Sequence, residues 1–314
     1  MGELSLIEHF RAQAPGHPWL AVGPGQDCAI LNWPGARDVA FKIDQVVEGT
    51  HFVLQGADAA TGFQVGWKAM AKACSDIAAT GFWPVAATAA VNLRKGTSET
   101  LAMDVYKGLC ACCTRFAFAL AGGDISVSEN GLSVVVSLLG EGPKGGAWLR
   151  RGARVGDALL VTGTLGHSRR TRKHLEFIPR LEEARTIRER FPDAVHACID
   201  ITDGLSRDLH HICEESTCGA VVFEDRLPCT SLEPEAQAGN GNLHCVESVL
   251  SEGEDFELLL AMEPQAAEEL LRGWRQPVPL TNIGLVQPAA EGCATIARNG
   301  TRHAMHNVGY EHRA

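Results

Sequence analysis

Apolar residues recur along this chain at two spacings. Short apolar runs bounded by Gly, Pro and Asp, at 29–31, 39–43, 85–93, 117–120 and 132–139, predict strands. Between them, apolar positions fall three or four apart. Trp67, Met70, Ala71, Cys74 and Ile77 predict a helix over 63–80, stopped at Gly81, and Leu101, Val105, Leu109 and Phe116 predict another over 98–116. Leu4, Ile7 and Phe10 predict a short helix that ends at the His17-Pro18 step. The stretch EGPKGGAWLRRGARVGD then breaks the pattern with Gly, Arg and Pro, and sets a domain boundary near Gly142. The reading is two α/β (α+β) domains, residues 1–142 and 143–314.

In the second half, strands are expected at 158–162, 195–199, 219–223, from Phe256 and at 282–286. Helices are expected at 205–216 and 266–271, and a hairpin turns at Asn299-Gly300. The segment from 223 to about 243 reads as a loop. The arginine-rich stretch 169–190 reads as a solvated helical region rather than a phosphate clamp.

The chemistry lies where strands end. In IDITDGL, Asp200 closes an apolar run and Asp203 stands at the N-cap position of a helix. Fixed negative charge of this kind is what a divalent cation can bridge to phosphate. On this stretch alone, a turn residue and a helix cap are the favoured reading of the two. The pattern recurs, however: Asp27 opens a strand, Asp44 follows 39–43, Asp124 follows a Gly-Gly pair, and Asp76 sits in an alanine-rich helix where an unpaired carboxylate is costly to bury. GPGQDCAIL from Gly23 fails as a dinucleotide fingerprint, because Cys28 stands at the third glycine and a strand follows. No G-x-x-x-x-G-K-S/T occurs either.

Composition narrows the partners. The 314 residues carry a net charge of −10, which argues against nucleic acid and anionic membranes. No apolar run is long enough to span a bilayer, and no secretory leader is evident, so a cytoplasmic protein is expected. Eleven irregularly spaced cysteines fit reduced thiols better than a disulfide framework, and Cys110, Cys112 and Cys113 read as core residues of a helix.

Taken in order, DCAIL, VVEGTHF, KAMAKACSDIAATG, AGGD, LRRGARVGD, VTGTLG, IDITDGLSRDLHHI and GEDFELLL resemble the thiamine-monophosphate kinases, within the superfamily that includes aminoimidazole ribonucleotide synthetase. The resemblance implies two domains, N-terminal sheets pairing across a homodimer, and an ATP site in the cleft between domains. It implies Asp27, Asp44, Asp76, Asp124, Asp200 and Asp203 as ligands of several magnesium ions, with Asp124 and Asp203 central to catalysis. Gly123, Asp124, Arg150 and Thr202 match positions that contact ATP, and His51 and Glu254 match positions that hold thiamine monophosphate. A phosphate monoester is already a largely ionised nucleophile at neutral pH, so such a site needs charge neutralisation and positioning rather than a general base.

Several positions depart from the family pattern: Gln26 replaces an Asp, Lys42-Ile43 replaces Ser-Thr, Thr202 replaces Ser, Phe256 replaces Tyr, and Asn307 stands where a Trp is frequent. Residues two apart in a strand share a face, so Lys42 and Asp44 are expected to project together into the cleft. Two other readings stay open: an ATP-dependent relative acting on another small molecule, and a catalytically silent homologue.

Overall fold

The protein's structure, a computed structural model, describes residues 12, 17–23, 25–230 and 241–310. The helix expected before Pro18 lies almost wholly outside the described residues.

Two sheets divide the chain. The first contains β1 (Leu20–Val22), β2 (Ala29–Leu31), β3 (Arg37–Val47), β4 (Trp83–Arg94), β5 (Ala119–Ser128) and β6 (Ser133–Pro143) in the order β1-β2-β3-β6-β4-β5. β4 and β5 run parallel and the remaining pairs antiparallel. Two 18-residue helices cover one face: α1 (Gly62–Ala79), opened by a Thr61/Gln64 capping box, and α2 (Glu99–Phe116), capped by Ser98. They cross at contact distance, since a Cβ on Gly66 would stand 1.9 Å from Val105 O and one on Gly108 2.1 Å from Phe63 O. α1 also packs against the second sheet, so its alanine- and cysteine-rich surface is buried on nearly every side.

The opposite face of the first sheet is bare. Phe41, Ile43 and Leu139 are exposed there, Ile43 at 66%, and Ile125 and Val127 are exposed on the edge strand β5. Two expected strand ends are in fact strand interiors. β3 continues through Asp44 to Val47, because all eleven of its residues pair with β6, and β5 runs straight through Gly123-Asp124 beside β4.

The second sheet contains β7 (Ala158–Thr162), β8 (Val195–Ile201), β9 (Gly219–Phe223), β10 (Glu257–Met262), β11 (Leu280–Gln287), β12 (Cys293–Ile296) and β13 (Arg302–Ala304), in the order β13-β12-β9-β11-β7-β10-β8. The hairpin at Asn299-Gly300 joins β12 to β13, with Gly300 at φ +85°. α5 (Leu205–Ser216) lies against the edge strand β8. Residues 231–240 of the loop read up to about Leu243 lie outside the described residues; a helix not expected from the sequence, α6 (Gly241–Ser251), comes after it, and α7 (Pro264–Arg272) follows β10.

The arginine-rich stretch corrects a sequence expectation. It forms α3 (Lys173–Glu176) and α4 (Leu181–Arg190), and α4 buries Leu181, Ala184 and Ile187. Arg180 makes a two-pronged ion pair at 2.5 and 2.6 Å with Glu257, a fully buried carboxylate that also accepts from Thr162 Oγ1 at 2.8 Å. Arg188 lies over the Trp148 ring at 4.4 Å. These guanidiniums face inward because a buried carboxylate and an indole face reward a planar cation.

Cys112 and Cys113 are buried in α2, as expected of core residues. Cys229 and Cys245 are joined as a disulfide, whereas the other nine cysteines are free. No helix among the described residues is long and apolar enough to cross a membrane.

Candidate active site

Between the two sheets opens a cleft of about 1010 Å³. Its acidic floor is assembled from distant parts of the chain. Asp27 precedes β2, Asp76 lies in the last turn of α1, and Asp200 is near the end of β8. Each offers a carboxylate oxygen within 4.8 Å of the others, and all three are buried. Three carboxylates this close repel one another unless cations intervene. Burial and the neighbouring Asp27 push Asp200 up to about 6. Burial raises Asp76 well above the usual carboxylate range, with Lys42 opposing and Asp200 reinforcing the rise. Asp200 Oδ2, in a residue only 3% exposed, has no hydrogen-bond partner. An orphaned buried carboxylate oxygen beside two others fits an oxygen-seeking divalent cation such as magnesium.

Basic groups ring this floor. Arg150 donates to Asp27 Oδ1 from Nε at 3.0 Å and from Nη2 at 2.6 Å. Lys42 and Asp44 do project together, as strand alternation requires: Lys42 Nζ lies 2.7 Å from Asp76 Oδ1 and 3.4 Å from Asp44 Oδ2. Ile43 between them points to the bare sheet face. Lys72 Nζ meets Asp44 Oδ1 at 2.9 Å. Burial works to raise Asp44, but the two ammoniums outweigh it and hold the carboxyl well below its ordinary value.

The loop after β8 brings Thr202 and Asp203 to the cleft wall. Asp203 does not cap α5. The N-cap residue is Gly204, at φ +110° and without a side-chain cap. The loop is held by Asp208 instead, one turn into the helix, whose Oδ2 accepts from Thr202 N at 2.9 Å and Asp203 N at 3.1 Å. Both Thr202 and Asp203 line the cleft.

At the other end of the cleft stand His51 and Glu254. Both are tied to Lys68, which is completely buried and donates to His51 O at 2.7 Å and to Glu254 Oε1. Arg169 Nε reaches Glu254 Oε2 at 3.0 Å. Burial alone would raise Glu254, yet Lys68 and Arg169 lower it overall. Glu254 itself sits at φ +66°, an uncommon left-handed conformation for a residue with a side chain, just before β10, and it lines the cleft. Phe256 and Asn307 line the same cleft, Phe256 stacked on Phe177 with centroids 3.8 Å apart. Gln26 is not among the converging carboxylates: its Oε1 accepts from Arg150 N at 2.6 Å, which anchors the linker between the sheets.

Gly123 and Asp124 lie apart from this cleft in the single chain. Register places Gly123 in one row with Ala89, Val136 and Asp44, three strands away, or roughly 14 Å at ordinary strand spacing. Asp124 shares its row with Ala90, Val135 and Gln45 on the bare face.

Sequence reasoning missed Lys68, Lys72, Arg169 and Asp208. For the two lysines a signal was available. Lys68, Lys72 and Asp76 stand at i, i+4 and i+8, which stacks them on one face of an otherwise apolar helix.

The two sheets on either side of the acidic cleft coincide with the two domains of the AIR synthase related proteins. The N-terminal domain of that family matches residues 25–141 and the C-terminal domain residues 131–295. A thiamine-monophosphate kinase of Rhodopirellula baltica is 35% identical over 294 residues, covering 90% of this chain and 89% of the relative, and that of Escherichia coli K12 is 31% identical over 341 residues, covering 99% and 98%. The chain belongs to the thiamine-monophosphate kinase family. Among solved structures, AaThiL complexed with AMPPCP and TMP superposes with a TM-score of 0.82 at 26% identity, covering 99% of this chain and 97% of that one. The thiamine-monophosphate kinase of Stenotrophomonas maltophilia K279a gives 0.71 at 28%, covering 93% and 96%.

Proposed function

We propose that this protein transfers the terminal phosphoryl group of ATP to thiamine monophosphate, yielding thiamine diphosphate and ADP. The observation that carries the reading is the convergence of Asp27, Asp76 and Asp200 at the floor of a cleft whose far end holds His51 and Glu254, in a chain 35% identical to a thiamine-monophosphate kinase.

Asp27, Asp76 and Asp200 would hold magnesium, with Asp203 and Asp44 at its margin. When bound, the metal neutralises phosphate oxygens that an acidic floor would otherwise repel. The rest of the work is positioning. Arg150 and Thr202 contact the nucleotide, and the Glu254 carboxylate, kept ionised by Lys68 and Arg169, faces the cationic thiazolium of the acceptor. His51, held through its backbone by Lys68 and at Nδ1 by Val47 N at 3.1 Å, shapes that pocket. The acceptor phosphate is its own nucleophile, so no group on the protein has to remove a proton.

The bare face of the first sheet supports a homodimer. Phe41, Ile43 and Leu139 form an exposed apolar patch of the sort that marks an interface. Gly123 and Asp124 are proposed to join the nucleotide site once two such sheets pair. Light scattering is expected to give twice the chain mass, and Ile43→Glu to give the single-chain mass.

Purified protein supplied with ATP, magnesium and thiamine monophosphate is expected to form thiamine diphosphate and ADP in equal amounts. ATP binding without this turnover would overturn the acceptor assignment and favour a different small phosphate ester, to which Asn307 in the cleft wall would then point.

A further inference from the structure

We propose that the Lys42 ammonium is a built-in counter-ion that takes Asp44 and one oxygen of Asp76 out of metal coordination, so that the nucleotide-free protein binds one divalent cation, at Asp27, Asp76 and Asp200. The choice of magnesium, and of manganese as its probe, rests on the phosphotransferase reading above. The arrangement of charges does not.

Asp44, Asp76 and Asp200 line this part of the cleft, with Asp27 in reach of the last two, and three fixed cations already answer these four carboxylates. Arg150 takes Asp27, Lys72 takes Asp44, and Lys42 lies between Asp44 and Asp76. An ammonium has three donors and no acceptor, so it cannot ligate a metal, and it repels one placed beside it. Asp44 is gripped from two sides: Oδ1 lies 2.9 Å from Lys72, and Oδ2, though buried without a hydrogen-bond partner, lies 3.4 Å from the Lys42 ammonium, which repels a metal placed against it. Asp200 is different. No lysine or arginine among the described residues pairs with it, and its Oδ2 is buried without a hydrogen-bond partner, within reach of oxygens of Asp27 and Asp76. The charge left unanswered is therefore centred on Asp200, and a single divalent ion there satisfies it.

Lys42 is not free to swing aside. It stands in the middle of β3, directly opposite Leu138 of β6, and its side chain is 21% exposed. Its stem is set by the strand, and strand alternation aims its head at the carboxylates. A residue at a strand end could retreat into solvent as a metal approached. This one would have to give up a 2.7 Å ion pair inside the cleft.

The test is a count of bound metal in folded, nucleotide-free protein, by manganese titration followed by electron paramagnetic resonance, with magnesium competition to confirm the site. Wild type is expected to bind one ion per chain, Lys42→Arg one, and Lys42→Ser two. Asp44→Asn placed on Lys42→Ser should return the count to one, because the second ion needs the carboxylate that the lysine had occupied. Circular dichroism establishes folding of each variant, and Lys42→Met serves if Lys42→Ser does not fold. Two ions in the wild type, or one in folded Lys42→Ser or Lys42→Met, would overturn the proposal. Because no turnover is measured, a correct metal count with no thiamine diphosphate formed would sink only the kinase reading. Turnover with a wrong count would sink only the role of Lys42.

Discussion

Asp200→Asn is expected to lower turnover on the order of 10³-fold while making the metal-free protein more resistant to heat. The first effect follows from removing one of three converging carboxylates, since transition-state charge stabilisation lost at a dry site costs on the order of 10² to 10³ in rate. The second follows from the same geometry read as energy. Burial and Asp27 push the Asp200 carboxyl up to about 6, so its ionised form is a burden on the folded state at neutral pH. An amide keeps the shape, sheds the charge and can donate to a neighbouring carboxylate. A gain of about 1 kcal/mol, or a rise of ~2–4 °C in Tm, is a modest expectation. Steady-state rates and thermal melts of the metal-free protein check both halves. Full activity in the variant would remove Asp200 from the metal site, and a fall in Tm would show that its charge is already neutralised within the fold.

Lys68→Met should weaken the acceptor end of the cleft by about 100-fold in kcat/KM for thiamine monophosphate, carried mainly by KM, with the KM for ATP unchanged. The side chain is fully buried, and it links the His51 carbonyl to Glu254. Breaking a buried pair costs about 3–5 kcal/mol when the remaining charge is stranded. Glu254 keeps Arg169 at 3.0 Å, so a stability loss of about 2 kcal/mol is the better expectation. The pH dependence has a definite sign. Burial pushes the Lys68 ammonium down to about 8 from 10.5, against the pull of Glu254. Between pH 8 and 10.5 the unfolded chain binds more protons than the folded one, so this group makes stability rise with pH across that window. Over the same range the neutral amine releases Glu254, and KM for the acceptor should climb above pH 8. A flat KM profile in the wild type, or an equal rise in KM for ATP, would show that Lys68 does not serve the acceptor subsite.

Both predictions turn on residues whose importance is unevenly written in the sequence. The succession of apolar periods determined the elements: α1, α2, α5, β7 and β9 fall where helical and strand-like spacing place them, because burying one face demands a fixed period whatever lies on the other side. Alternation in β3 was enough to send Lys42 and Asp44 one way and Ile43 the other. The ordered motifs around Asp27, Asp76 and Asp200 identified the family and its phosphate chemistry. Only the tertiary structure decided which acids meet. Asp27 and Asp200 are brought against Asp76 because α1 packs on β8 as well as on the first sheet, a contact between segments more than a hundred residues apart that no local pattern encodes. It likewise decided that Asp203 leaves the capping of its loop to Asp208, that Asp124 stands on the bare sheet face, and that Arg180 turns inward to a buried glutamate. A charged side chain looks the same in sequence whether it faces water or a partner, and the partner is supplied by the fold.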